Sequence, residues 1–403
     1  MSETALSPRT VGFLVVGCLA VAGTMAGQLG ATSATTYAAG SAAGAATSVF
    51  LALMLASAAL AGVGTTRLAA RWGTLRTFGW AQAGVAVSWL VAGILEALTD
   101  SSLVLLFLAA PIFGVFSGVT GVLTPFACRS YIDAGSLTSS VAKRGSVSGI
   151  GAIIGSLVGG YLIHATDPGI GILANGLLTI PLVGFVLLVR PRSAAAAPRA
   201  TPHGIRAIAG EIRSNGRLRQ LVLLLIAFML LVVPMTGMIV PILNDLDHEP
   251  LPSGAGLMLA GFAAGRFFVP RIERGLLARH SQFNASVRAT VLTAIFLIAF
   301  GITALFGFSD ADLVIWTLVG IGIGAGRFTT RVLMIGGAAS AMPRSEEMLG
   351  VTALVTIGTL SSPVGFLVWG PLIDLVSAPA AVISAGLAMV AVAVLLGRVA
   401  NRA

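Results

Sequence analysis

The chain has 403 residues, 56% of them hydrophobic and only 10% charged, with 50 glycines. Together with a mean hydropathy of +0.97, this excludes an ordinary soluble globule. A net charge of +9 would suggest a nucleic-acid partner in a soluble protein. Here the arginines fall in short gaps between apolar runs, so they read as orientation signals for a membrane and no nucleic-acid partner is expected.

A spanning helix needs about 20 apolar residues. On that rule the pattern predicts twelve spans, near 11–32, 41–63, 76–98, 102–126, 146–166, 169–189, 220–243, 254–272, 288–307, 312–334, 349–373 and 377–397. Met1–Thr10 carries one basic residue, Arg9, ahead of the first apolar run. The many later spans favour a first transmembrane helix over a signal peptide. Cys18 and Cys128 lie within or at the end of apolar runs, which implies neither a disulfide framework nor a metal site; no cofactor is expected.

The longest polar interval is 190–219, with seven arginines against a single acid, Glu211. Its Ala/Pro-rich first part reads as a tether. The part around Ile205, Ile208 and Ile212 has the pattern of a short amphipathic helix on a membrane surface. The expected architecture is an all-α membrane protein: a six-helix bundle over 1–189, a basic cytoplasmic linker over 190–219, and a pseudo-symmetric six-helix bundle over 220–403.

With twelve spans, every basic residue except Arg266 and Arg327 falls on one side. The opposite loops receive Asp100, Asp167, Asp245, Asp247, Glu249, Asp310 and Asp312 and no basic residue. The positive-inside rule then puts both termini in the cytoplasm of a multi-pass protein of the cell membrane. The halves also echo each other, since Gly155-Ser156-Leu157-Val158-Gly159 in span five matches Ser361-Ser362-Pro363-Val364-Gly365 in span eleven. Internal symmetry of this kind is common in transporters.

Few polar groups interrupt the spans. Arg266 and Arg327 occur in near-identical contexts, Ala264-Gly265-Arg266-Phe267 and Ala325-Gly326-Arg327-Phe328. At about 1.5 Å per residue each lies about 20 Å from the outer end of its span. A charge at such depth faces a cavity or a partner, or snorkels to the nearer interface; the sequence leaves anion binding and anchoring both open. Arg331, one turn beyond Arg327, reads as an interfacial anchor.

Span one carries Thr24, Gln28 and Thr32 at helical spacing, and span four carries Ser117, Thr120 and Thr124. These stripes suit contacts to a weakly polar substrate, or hydrogen bonds between helices. Pro234, Met235 and Thr236 mark an expected break in span seven with an adaptable lining residue. Glu96 and Asp374 lie near outer ends and His164 with Asp167 reads as an interfacial pair, so no deep carboxylate announces proton coupling.

Two motifs resemble those of the major facilitator superfamily. Thr66-Arg67-Leu68-Ala69-Ala70-Arg71-Trp72-Gly73, followed by Arg76, is similar to that family's loop after span two, although the family's first glycine and its aspartate are replaced by Thr66 and Ala70. Gly151 through Gly155, Ser156, Gly159 and Gly160 resembles the span-five signature of its exporter branches, with Ser156 in place of proline. The family's usual arginine of span four is absent. The resemblance implies a secondary transporter working by alternating access, with spans one and four lining the cavity. It gives Arg71, Gly73 and Arg76 a gating role, with Asp133 as candidate partner of Arg71, and likewise gives one to Gly151, Gly155, Gly159 and Gly160. Arg266 lies where nitrate and monocarboxylate carriers of the family place a substrate arginine.

Efflux of small amphipathic compounds is the leading expectation, and a carrier of small organic or inorganic anions using Arg266 and Arg327 the alternative. A membrane-embedded enzyme would need convergent His, Asp, Glu or Cys groups, which the spacing does not supply. A non-transporting receptor on the same fold is a further reading. The expected partners are a small-molecule substrate, the lipid bilayer and a coupling proton or counter-ion, with the chain acting as a monomer.

Overall fold

In this sequence apolar runs of membrane-spanning length are punctuated by residues that begin or end helices, and the punctuation sets the elements. The structure, a computed structural model, describes residues 7–99, 102–132, 137–191, 205–245, 251–306, 310–343 and 347–400. Asp133 and most of the tether at the start of the 190–219 linker lie outside the described residues.

The first half contains α1 (Pro8–Ala39), α2 (Ala43–Trp72), α3 (Thr74–Thr99), α4 (Leu103–Tyr131), α5 (Leu137–Ala165) and α6 (Pro168–Leu188). The linker contributes α7 (Ile205–Ser214), the short amphipathic helix expected there. The second half contains α8 (Gly216–Gly237), α9 (Ile239–Asp245), α10 (Leu251–Ala264), α11 (Val269–Leu277), α12 (Gln282–Leu305), α13 (Asp310–Ser340), α14 (Glu347–Leu375) and α15 (Ala378–Ala400). Among the described residues there is no strand.

Starts and stops follow the local chemistry. Ser7, Ser102, Asn215 and Ser281 each accept a backbone N–H from the first turn of the helix they precede, which satisfies a donor the helix itself cannot. Asp167 does the same for α6, taking the Gly169 N–H at 2.6 Å, so its carboxylate serves the helix end rather than pairing with His164. Gly73 closes α2 at φ 86°, a left-handed conformation that a residue with a Cβ rarely adopts.

Eleven contiguous helical stretches are long and apolar enough to cross a membrane, and the first of them, Pro8–Trp72, contains both α1 and α2. A 3-10 turn at Gly40–Ala42 reverses the chain there, bringing the hydroxyls of Thr35 and Thr47 to 3.1 Å. Twelve crossings result. Span seven breaks where α8 ends at Gly237, three residues after Pro234, and α9 begins. Span eight breaks at a 3-10 turn, Gly265–Phe268, set by the following Pro270.

In the first half α1 packs on α5 and α6, α2 on α4, and α3 on α4 and α6. In the second, α12 packs on α13 and α15, α8 on α14 and α15, and α10 on α13. The halves meet chiefly along α2–α14 and α5–α10. Close approach rests on glycine. An added Cβ at Gly151 or Gly155 would overlap the carbonyl oxygen of Cys18 or Ala22 on α1, and one at Gly324 would overlap that of Phe262.

The exterior is apolar, as lipid contact requires: Leu188 and Phe306 are each 84% exposed, and Leu98, Leu108 and Leu375 also face outward. Inside, the two halves share one continuous apolar core from Leu29 to Ala393.

Candidate substrate cavity

Two adjoining cavities lie among the helices near the seam between the halves. One, of 260 Å³, is bordered by α1, α4 and α5 of the first half and by α13, α14 and the broken span eight of the second. Arg144, Arg266 and Arg331 all stand in its wall, with the serines 146 and 148. The other, of 420 Å³, is a chamber within the first half, bounded by α1, α2, α3, α4 and α6. Arg144 and Arg331 belong to both walls, as do Val21, Gly121 and Thr124, so the two spaces form one continuous site.

Local structure positions the arginines. Arg266 sits on the 3-10 turn, donates to Ser148 Oγ at 3.4 Å, and stacks 4.0 Å over the Phe328 ring. Its Nε has no partner, and neither does Nε of Arg144. Arg331 makes no hydrogen bond or ion pair among the described residues and is accessible through the cavity. Among the described residues no aspartate or glutamate lines either space. Three guanidinium groups gathered on one cavity, without a counter-charge among the described residues, favour an anion.

Arg327 behaves differently despite its matching context. It donates to Thr236 Oγ1 and lies 5.2 Å over the Phe262 ring. Phe262 and Phe328 in turn meet edge to face at 5.3 Å. This crossed pairing fixes Arg327 and Thr236 in the wall behind the cavity rather than in it. Met235 is buried in the core and lines neither space, contrary to its expected role.

The expected contacts of spans one and four do converge. Thr24, Gln28, Ser117 and Thr120 all line the chamber. Sequence reasoning missed Gln82, Asn175 and Thr179, which complete it, and also Arg144 and Arg331. The available signals were a lone amide in each of two apolar spans, and the one-turn spacing that puts Arg331 on the same helix face as Arg327.

The expected gating residues separate into two groups. Arg71 and Arg76 are exposed beside the Gly73 turn; their candidate partner Asp133 lies outside the described residues. Gly151, Gly155 and Gly159 face α1 within the first half, while Gly160 approaches Gly256 of α10 across the seam.

A polar contact between the halves lies elsewhere, at the end of the bundle opposite the linker. The α2 N-terminus has no capping side chain of its own. Instead both carboxylate oxygens of Asp374, on α14, accept its first N–H groups, from Gly44 at 3.0 Å and Ala45 at 2.8 Å. Gly44 and Gly370 allow this approach, since a Cβ on either would overlap the other helix. Asp374→Ala removes this cap from a largely exposed helix end, a cost of about 0.5–2 kcal/mol borne only while this end is shut. A cysteine placed at Ser48, which is buried beside Gly370, is therefore expected to react several-fold faster with an impermeant thiol reagent in Asp374→Ala than in the parent. Equal rates would show that the cap does not hold this end closed.

Comparison with known proteins agrees with this architecture. No curated protein sequence matches the chain. Among solved structures, the nucleoside transporter NupG superposes with a TM-score of 0.68 at 14% identity, covering 97% of this chain and 99% of that one. The human organic anion transporter MFSD10 (TETRAN) gives 0.67 at 17% identity, covering 97% and 100%. The E. coli fucose:proton symporter FucP gives 0.66 at 12%, covering 97% and 99%. At such identities the likeness is one of fold. The family model of the Major Facilitator Superfamily matches residues 10–348, and with the twelve crossings, the two packed halves and the cavity at their seam, the chain belongs to that superfamily of membrane transporters.

Proposed function

We propose that this protein is a secondary transporter of small organic anions. The observation that carries this reading is the convergence of Arg144, Arg266 and Arg331 on one cavity bordered by both halves, with no carboxylate among the described residues of its lining. Guanidinium groups pair with carboxylates and phosphates in a bidentate fork. A cation from each half on one ligand ties substrate binding to the relative position of the halves, which is what alternating access requires.

The fold does not choose the cargo, since its structural relatives include transporters described for a nucleoside, an organic anion and fucose. Efflux of amphipathic compounds rested on the span-five glycines. Gly151, Gly155 and Gly159 pack on α1 within one half, so that motif gains no directional meaning from the structure. The positive charges of the lining favour coupling to a counter-anion. The basic linker and short basic loops support a cytoplasmic placement of both termini in the cell membrane, with a single chain as the working unit.

Thermal stability of the purified chain in detergent tests the reading. Small carboxylates are expected to stabilise the protein, by about 2.7 kcal/mol at a hundredfold excess over Kd, and Arg266→Gln is expected to remove the effect. Stabilisation by lipophilic cations instead, insensitive to that substitution, would return efflux of amphipathic compounds to first place.

A further inference from the structure

The two spaces divide their chemistry. The cavity at the seam supplies charge, and the chamber supplies uncharged hydrogen-bonding groups drawn almost wholly from the first half; among the described residues Arg331 is its sole lining residue from the second. Gln82 is only 8% exposed and lines the chamber, yet its amide bonds to nothing among the described residues. The side-chain amide of Gln28 on α1 is likewise without a partner among the described residues. Asn175 accepts from Thr179 Oγ1 at 3.5 Å, and its amide nitrogen donates to no described group. Buried amides are normally paired, so these are kept for an occupant.

The hydroxyls narrow that occupant further. Thr24, Thr120 and Thr124 spend their protons on the backbone carbonyls of Ala20, Ser117 and Thr120, at 2.8, 3.0 and 2.7 Å. Toward the chamber they offer lone pairs, which call for O–H or N–H groups on the ligand. The amides of Gln28, Gln82 and Asn175 offer N–H donors, which call for carbonyl or hydroxyl oxygens. Trp89, stacked on Phe113 at 4.1 Å, gives the chamber one flat apolar wall.

We propose that the substrate is a bipartite organic anion, its charged group on Arg144, Arg266 and Arg331 and its uncharged body, bearing both hydrogen-bond donors and acceptors, in the chamber between α1, α3, α4 and α6. This rests on the anion reading and narrows it, setting aside inorganic anions and acids with purely apolar tails. Because Arg144 and Arg331 border both spaces, one molecule with its head at the seam reaches the chamber without a gap.

The test uses matched acids on the full chain in detergent, with dissociation constants from calorimetry: gluconate against hexanoate, and hippurate against 4-phenylbutyrate. Glucose and hippuramide serve as uncharged controls. The polar acid of each pair is expected to bind at least about tenfold more tightly, as in sites built to hydrogen-bond their ligand. Gln82→Met should shrink that ratio below about threefold, through weaker binding of gluconate and hippurate, with an intact fold checked by circular dichroism and size-exclusion chromatography. Arg266→Gln should weaken all four acids. Apolar acids binding as tightly as polar ones in the parent protein would overturn the bipartite site and leave the anion reading standing. Neutral controls binding as well as the acids, or no acid binding at all, would overturn both.

Discussion

Arg331→Gln is expected to weaken anion binding strongly while leaving the protein at least as stable as the parent. Arg331 stands in the wall of both spaces and has no hydrogen bond, ion pair or ring contact of its own among the described residues. Its removal therefore breaks no polar contact among the described residues and relieves repulsion from Arg144 and Arg266 in the same wall. A charge-assisted contact to the ligand is worth about 1.5–3 kcal/mol, so affinity should fall by about 10- to 100-fold. The measurement is a pair of curves on one preparation, thermal unfolding and anion binding. Arg266→Gln is a less clean variant because it also loses the ring of Phe328, an interaction worth about 0.5–2 kcal/mol. A large fall in melting temperature for Arg331→Gln would show that Arg331 is structural.

The second large effect is expected at Gly155. A Cβ there would overlap the carbonyl oxygen of Ala22, which is backbone and cannot turn aside, and Gly151 makes the same contact one turn earlier on Cys18. Valine at position 155 forces α1 and α5 apart along the helix pair that borders the arginine cavity. The cost should exceed the usual overpacking range of about 1–3 kcal/mol, with loss of folded protein on size-exclusion chromatography. Gly145, around whose Cβ position there is open space, is the control: Gly145→Ala should be recovered like the parent. Normal recovery of Gly155→Val would refute the close contact of α1 with α5.

Architecture was largely legible because it follows from long-range patterns. Runs of apolar residues, the arginine count of each gap and the Pro234 break are properties of many residues together, and the helices follow them. The candidate site was legible only in part. Arg144 lies just before the span-five window and Arg331 near the cytoplasmic end of the span-ten window, so they read as loop or interface charges; α5 begins at Leu137 and α13 continues to Ser340, which carries both arginines on helix into the cavity wall. Gln82 and Asn175 are single polar residues in apolar spans, with no period to reveal whether they face lipid, core or cavity. Arg266 and Arg327 share a four-residue context yet part company, because one sits on a 3-10 turn and the other on a regular helix with Thr236 in reach.

The central claim is that net negative charge on the substrate is read by the arginines at the seam. The most direct test is uptake into proteoliposomes of radiolabelled hippurate and of its uncharged amide, hippuramide, at matched concentration in parent and Arg266→Gln protein. The account predicts saturable uptake of hippurate alone in the parent, reduced at least tenfold (about 1.4 kcal/mol) by the substitution. Saturable uptake of hippuramide at a similar rate, or of hippurate unaffected by loss of Arg266, would contradict it.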